Sequence, residues 1–119
     1  MKGSIGGTRR KITKKQVLDQ KTLDDIIRRI VEVAEPERII LFGSAARGDM
    51  TRNSDVDLLI IKEGGDTNLR AQIYEKMYGV RVAVDAILVS PADVERYKDS
   101  HALVIKSALQ EGRVVYESS

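Results

Sequence analysis

Apolar and polar positions follow two rhythms along this chain, and each predicts a different kind of element. Leu23, Ile26, Ile27, Ile30, Val31 and Ala34 recur at i, i+3, i+4, i+7 and i+8, the spacing of an amphipathic helix with one buried stripe. Thr22 or Lys21 is expected near its start, with Asp24 and Asp25 in the first turn complementing the helix dipole and Glu35-Pro36 ending it. The rhythm then changes. Arg38 to Phe42 is a short, β-prone apolar run that stops at Gly43, and Ser44, Ala45 and Ala46 are expected to open a short helical turn.

A polar connector from Gly48 to Ser54 leads to a second strand, expected over Asp55 to Lys62 and closed by Gly64-Gly65. Leu69, Ile73 and Met77, with Ala71 and Tyr74, predict another helix that runs to Gly79 and is capped by Asp66 or Thr67. In the third strand, Val80 to Val89, strict alternation sends Val82, Val84, Ala86 and Leu88 to one face and Ala83, Asp85, Ile87 and Val89 to the other. Asp85 is the polar exception. Ser90-Pro91 has the form of an N-cap followed by proline at the first helical position, opening a short helix through Tyr97. A further helix carries Ala102, Leu103, Ile105, Lys106 and Leu109, and Gly112 separates it from a last strand, Arg113 to Tyr116. The expected fold is therefore a small α/β (α+β) domain: a mixed β-sheet of three to four strands, helices packed mainly on one face, and the site at an exposed edge of the sheet.

Composition narrows the chemistry. At 119 residues, with 42% hydrophobic and 32% charged residues, the chain fits one soluble domain that buries about two-thirds of its unfolded surface. There is no cysteine and one histidine, which excludes disulfides, thiolate nucleophiles and Cys- or His-rich zinc sites. Four tyrosines and one phenylalanine provide no stacking platform for single-stranded nucleic acid. His101, beside a helical stripe, reads as a surface or capping residue.

The net charge of +2 is unevenly placed. Lys2, Arg9, Arg10, Lys11, Lys14 and Lys15 precede the first acidic residue, Asp19, which leaves 14 basic against 18 acidic residues in the remainder. Residues 1–16 are therefore expected to form a flexible basic arm and residues 17–119 the folded domain, so the positive balance is no sign of a nucleic-acid-binding fold. No stretch has the length of a signal peptide core or a membrane span, and a cytoplasmic location is expected.

The chemistry-bearing residues cluster between Leu41 and Ile61. Asp55 and Asp57, at i and i+2 of an extended strand, point to one face and can reach the same hard cation, and such oxygen ligands together with nucleotide phosphates suit magnesium. Two like charges heading the apolar run Leu58 to Ile61 repel and desolvate poorly, a cost that a cation offsets. Gly43 permits close approach of the backbone to a phosphate, Ser44 adds a hydroxyl and an amide at a helix start, and Arg47 can reach triphosphate oxygens or an acidic partner. Gly48 and Ser54 are read as serving the turn and local hydrogen bonding.

Gly43-Ser44, ten intervening residues, then Asp55-Val56-Asp57 resembles the core signature of the DNA polymerase beta superfamily of nucleotidyltransferases, with Asp85 in RVAVDAIL matching the third family carboxylate. The short length and the GSAARG string resemble its minimal nucleotidyltransferase branch over roughly residues 20–117. The resemblance implies the nucleotidyltransferase fold, Asp55, Asp57 and Asp85 as catalytic and Mg2+-holding residues, and Gly43, Ser44 and Arg47 against the nucleotide. It also implies an activity, transfer of AMP from ATP to a hydroxyl of a partner protein, and a setting, the antitoxin of a HEPN-type toxin. Asp85 could complete a second metal site or accept the proton of the attacking hydroxyl. The alternative is a non-catalytic antitoxin that neutralises its partner by complex formation. A homodimer or hetero-oligomer is compatible with either reading.

Overall fold

The computed structural model describes residues 18–98 and 104–118. The basic arm, His101, and the Ala102 and Leu103 positions of the predicted stripe lie outside the described residues.

Helix α1 (Gln20–Ala34) begins where Asp19 accepts a hydrogen bond from the Thr22 amide at 2.8 Å. It buries Leu23, Ile26, Ile30 and Ala34, and Glu35 ends it in the left-handed conformation, φ 46°, ahead of Pro36. Because the helix starts earlier than its apolar stripe, Asp24 and Asp25 lie beyond the first turn, contrary to expectation. Asp25 instead pairs with Arg28 and Arg29.

Strand β1 (Arg38–Phe42) leads into the one-turn helix α2 (Ser44–Arg47), and β2 (Val56–Ile61) follows the connector. Helix α3 (Thr67–Lys76), capped by Asp66, precedes β3 (Val84–Val89). Ser90 and Asp93 form a reciprocal capping box with Pro91 at the first helical position of α4 (Pro91–Tyr97). Helix α5 (Val104–Glu111) and strand β4 (Arg113–Glu117) complete the order. Gly112 joins them in a space that admits no side chain, since a Cβ there would lie 2.3 Å from the Ala108 carbonyl oxygen and 2.5 Å from Ile40 Cγ2.

The four strands form one mixed sheet in the order β3-β2-β1-β4. β1 is antiparallel to β2 and β4, while β2 and β3 are parallel. Two strands are shorter than their apolar runs. Residues before Val84 have no strand opposite them, because β2 begins only at Val56, whose amide closes the ladder on the Ala83 carbonyl at 2.8 Å. Asp55 falls just outside β2 because the connector ends in a turn, with Ser54 N–H donating to the Thr51 carbonyl and the Thr51 amide to Ser54 Oγ.

The sheet has a core on each face. The larger joins Leu23, Ile26 and Ile30 of α1 and Ile73 of α3 to Ile39, Leu41, Leu58, Ile60 and Ala86. The thinner one sets Ile105 and Ala108 of α5, with Val94 and Tyr97 of α4 at its margin, against Ile40, Phe42, Leu59 and Ile61. Most helical cover thus lies on one face, as the stripes predict, and α4 and α5 add a second layer that short-range periodicity does not specify. Among the described residues no helix is long and apolar enough to cross a membrane.

Candidate active site

The site is built where β1 ends and β2 and β3 begin. Gly43 leaves β1 at φ 72°, ψ −153°, a conformation that a side chain opposes. A Cβ at Gly43 would also lie 2.3 Å from Asp57 Oδ2. The space left by the missing side chain is therefore taken by a carboxylate, a contact that spacing alone does not reveal. The Gly43 carbonyl accepts the Ala46 and Arg47 amides, both at 3.1 Å, which folds Ser44–Arg47 into a single turn. Gly48 closes that turn at φ 84° and donates its amide to the Ser44 carbonyl, the turn role expected of it. Ser44 is the first residue of α2, and the Ser44 and Ala45 amides, which precede the two bonded to Gly43, have no acceptor within the helix.

Asp57 stands opposite Phe42 on one side and Asp85 on the other. The register directs both carboxylates to the sheet face that carries Phe42, Leu59 and Ile87, and strands in a sheet lie about 4.8 Å apart. Asp55, two residues before Asp57, is exposed at the mouth of the site. Burial pushes the Asp57 carboxyl above its ordinary value, the charges of Asp85 and Asp55 push it further, and Arg47 opposes them.

Arg47 is half-exposed and turned toward acidic neighbours, with Nε 3.3 Å from Asp49 Oδ2 and Nη1 3.5 Å from Glu111 Oε1. Such exposed pairs contribute little to stability. Their interest is positional, because they link the turn after β1 to the end of α5. Glu111 lies 64 residues from Arg47 and belongs to no local pattern, so nothing in the sequence marks it.

Among the described residues no three His, Cys, Asp or Glu side chains are gathered as a ready-made metal cage. The donor chemistry nevertheless fits a hard divalent cation. Asp57 is partly withdrawn from water, lies against a bare backbone, and carries repulsion from two further carboxylates that Arg47 opposes without cancelling.

The comparisons with known proteins agree with this architecture. The family described as "Polymerase beta, Nucleotidyltransferase" matches residues 24–119. Among curated relatives is a protein of Methanocaldococcus jannaschii named "Putative protein adenylyltransferase MJ1305", 34% identical over 90 residues, covering 65% of this chain and 61% of that protein. A second from the same organism, "Putative protein adenylyltransferase MJ0604", is 37% identical over 83 residues, covering 67% of this chain and 78% of its own length. The chain thus spans less than two-thirds of the first relative. Two solved structures share the fold. One is a mutant of the toxin-antitoxin MntA-HpeT, with TM-score 0.59 and 16% identity over 86% of this chain and 76% of that one. The other is a toxin-antitoxin with AMP-PNP, with TM-score 0.58 and 19% identity over 80% of this chain and 73% of that one. With the family match extending over most of the chain, this protein belongs to the polymerase beta nucleotidyltransferase family.

Proposed function

We propose that this chain is a magnesium-dependent nucleotidyltransferase that moves AMP from ATP to a hydroxyl of a partner protein, acting as the antitoxin of a HEPN-type toxin. The observation that carries the reading is the contact between Gly43 and the Asp57 carboxylate, with Asp85 in register beside it. It sets the Gly43-Ser44 turn, where a polyphosphate would lie, directly beside carboxylates in need of a cation. The names of the curated relatives support a protein acceptor, and the toxin-antitoxin structures support the setting.

In this reading Gly43 and Ser44 hold the outer phosphates and Arg47 leaves its acidic neighbours to help neutralise them. Asp55, Asp57 and Asp85 hold magnesium, which when bound supplies charge neutralisation on the triphosphate. The acceptor oxygen forms a bond to the α-phosphorus as the bond to the bridging oxygen breaks and pyrophosphate departs. Asp85 takes the proton of the attacking hydroxyl. Positioning and charge complementarity supply the catalysis.

Incubating the chain with its purified partner, ATP and magnesium, then weighing the intact partner, tests this reading. A gain of adenylyl groups is expected. A partner that is neutralised in a stable complex with no gain in mass would establish the binding-module alternative instead.

A further inference from the structure

The third carboxylate sits on a strand with a free side. Among the described residues β3 is an edge strand, paired only with β2. Edge strands expose backbone groups that water and other chains can take, and they fray more readily than central strands. Asp85 is the second residue of β3, so its aim is only as firm as that edge.

The backbone repeat shows which groups face outward. Val56 donates its amide to the Ala83 carbonyl and Lys62 to the Val89 carbonyl, both at 2.8 Å, so odd-numbered residues of this segment turn toward β2. Ala86, next to Asp85, therefore turns its amide and carbonyl to the open edge. Both are taken by side chains of α3. The Ala86 amide donates to the Tyr74 hydroxyl at 2.9 Å, and that hydroxyl donates back to the Ala86 carbonyl at 3.5 Å. Arg70 Nε donates to the same carbonyl at 3.2 Å, and its guanidinium lies over the Tyr74 ring at 5.2 Å from the centroid. Ile73, fully buried between them in sequence, anchors the helix from which both side chains reach. One phenol thus does at Ala86 what a fifth strand would do.

We propose that Tyr74, backed by Arg70, is a positioning residue: a side-chain clasp on the open edge of β3 that holds Asp85 beside Asp57. This rests on the nucleotidyltransferase reading of the site. Asp85 is gripped from the inside by its register with Asp57 and from the outside by the clasp on its neighbour. The hydrogen bonds of the clasp go to Ala86 and not to Gly43, Ser44 or Arg47, so its loss acts on the site through β3 and Asp85.

Tyr74→Phe removes the hydroxyl and keeps the ring, its stacking on Arg70 and its packing against the core. Amide hydrogen exchange read by NMR is expected to run about fivefold faster at Ala86 in the variant. In the transfer assay the magnesium concentration for half-maximal rate is expected to rise about tenfold and kcat to fall about tenfold, the usual scale for losing a partner one shell behind a ligand. The KM for ATP, set at Gly43 and Ser44, stays within about twofold. Arg70→Lys, which keeps the charge but loses the fixed Nε donor, moves the same quantities in the same direction by less. Unchanged exchange at Ala86, or faster exchange with an unmoved magnesium requirement and kcat, would overturn the proposal. If the wild-type chain transfers nothing, the functional reading fails by itself. The clasp is then decided by Mn2+ affinity from water-proton relaxation in the presence of a non-hydrolysable ATP analogue, where about tenfold weaker binding by Tyr74→Phe supports it and equal binding refutes it.

Discussion

Two regions of the same sheet are built on opposite principles. On the α1 face, Ile26, Ile30, Ile39, Leu58 and Ile60 are fully buried, and each apolar contact supports its neighbours. At the end of the strands, a few residues away, Asp57 is partly buried beside two like charges and against a glycine that has no room for a side chain. The first region stabilises the domain and carries no chemistry. The second holds a local conflict that folding alone does not favour, which is the pattern expected where structure has been shaped by a ligand.

Mutation should separate the two regions. The largest stability effect belongs to the core: Ile30→Ala removes a fully buried side chain and should cost about 2–5 kcal/mol in denaturant unfolding. Gly43→Ala comes next, because its backbone, φ 72° with ψ −153°, lies in a region essentially reserved for glycine that costs an L-residue roughly 1–3 kcal/mol, and the new methyl also displaces the Asp57 carboxylate. Gly48→Ala is its control. Its backbone also has a positive φ, 84° with ψ 14° in the milder αL region, but nothing lies within 4 Å of the added Cβ, so it should lose some stability while keeping transfer activity. Equal loss of transfer in the two variants would contradict the role given to the contact between Gly43 and Asp57.

Asp57→Asn should behave in the opposite sense to Ile30→Ala, leaving the unfolding midpoint unchanged or raised. Its sign follows from linkage. Folding raises the Asp57 pKa above its ordinary 3.8, so its contribution to stability is full below that value and is lost as pH rises through the folded one. The stability advantage of Asp57→Asn should therefore be absent well below pH 3.8 and grow as the pH rises. Asp19, held low chiefly by the Thr22 amide, and Glu32, held low chiefly by Lys76, act the other way: their support is present above the ordinary carboxylate values and lost on acidification. The smallest effect follows from this: Asp19→Ala should lower the melting temperature modestly at neutral pH and not at strongly acid pH, read from thermal scans across pH.

The sequence rhythms revealed much of the fold because the strongest signals are local. The α1 stripe, the Ser90-Pro91 start of α4 and the run Leu58 to Ile61 each satisfy a periodicity readable within one element. The Gly-Ser and Asp-x-Asp spacing likewise pointed to Gly43 and Asp57, and the polar exception in the third strand to Asp85; the fold brings all three to one end of the sheet. What escaped depends on partners distant in the chain. β3 starts at Val84 because β2 offers nothing earlier to pair with, and Asp24 and Asp25 miss the first turn because the cap lies at Asp19. The turn of Arg47 toward Glu111 and the clasp of Tyr74 on Ala86 leave no trace in spacing, since a tyrosine in a helical stripe looks the same whether its hydroxyl is idle or bonded.

The carboxylates beside Gly43 are proposed to serve nucleotidyl transfer. The most direct test follows label from α-labelled ATP to the partner protein with magnesium present, comparing the native chain with Asp55→Asn combined with Asp57→Asn. Transfer by the native chain is expected, with a loss exceeding about 100-fold in the double variant, more than the loss of a group one shell behind a metal ligand. Transfer undiminished in a folded double variant would contradict it.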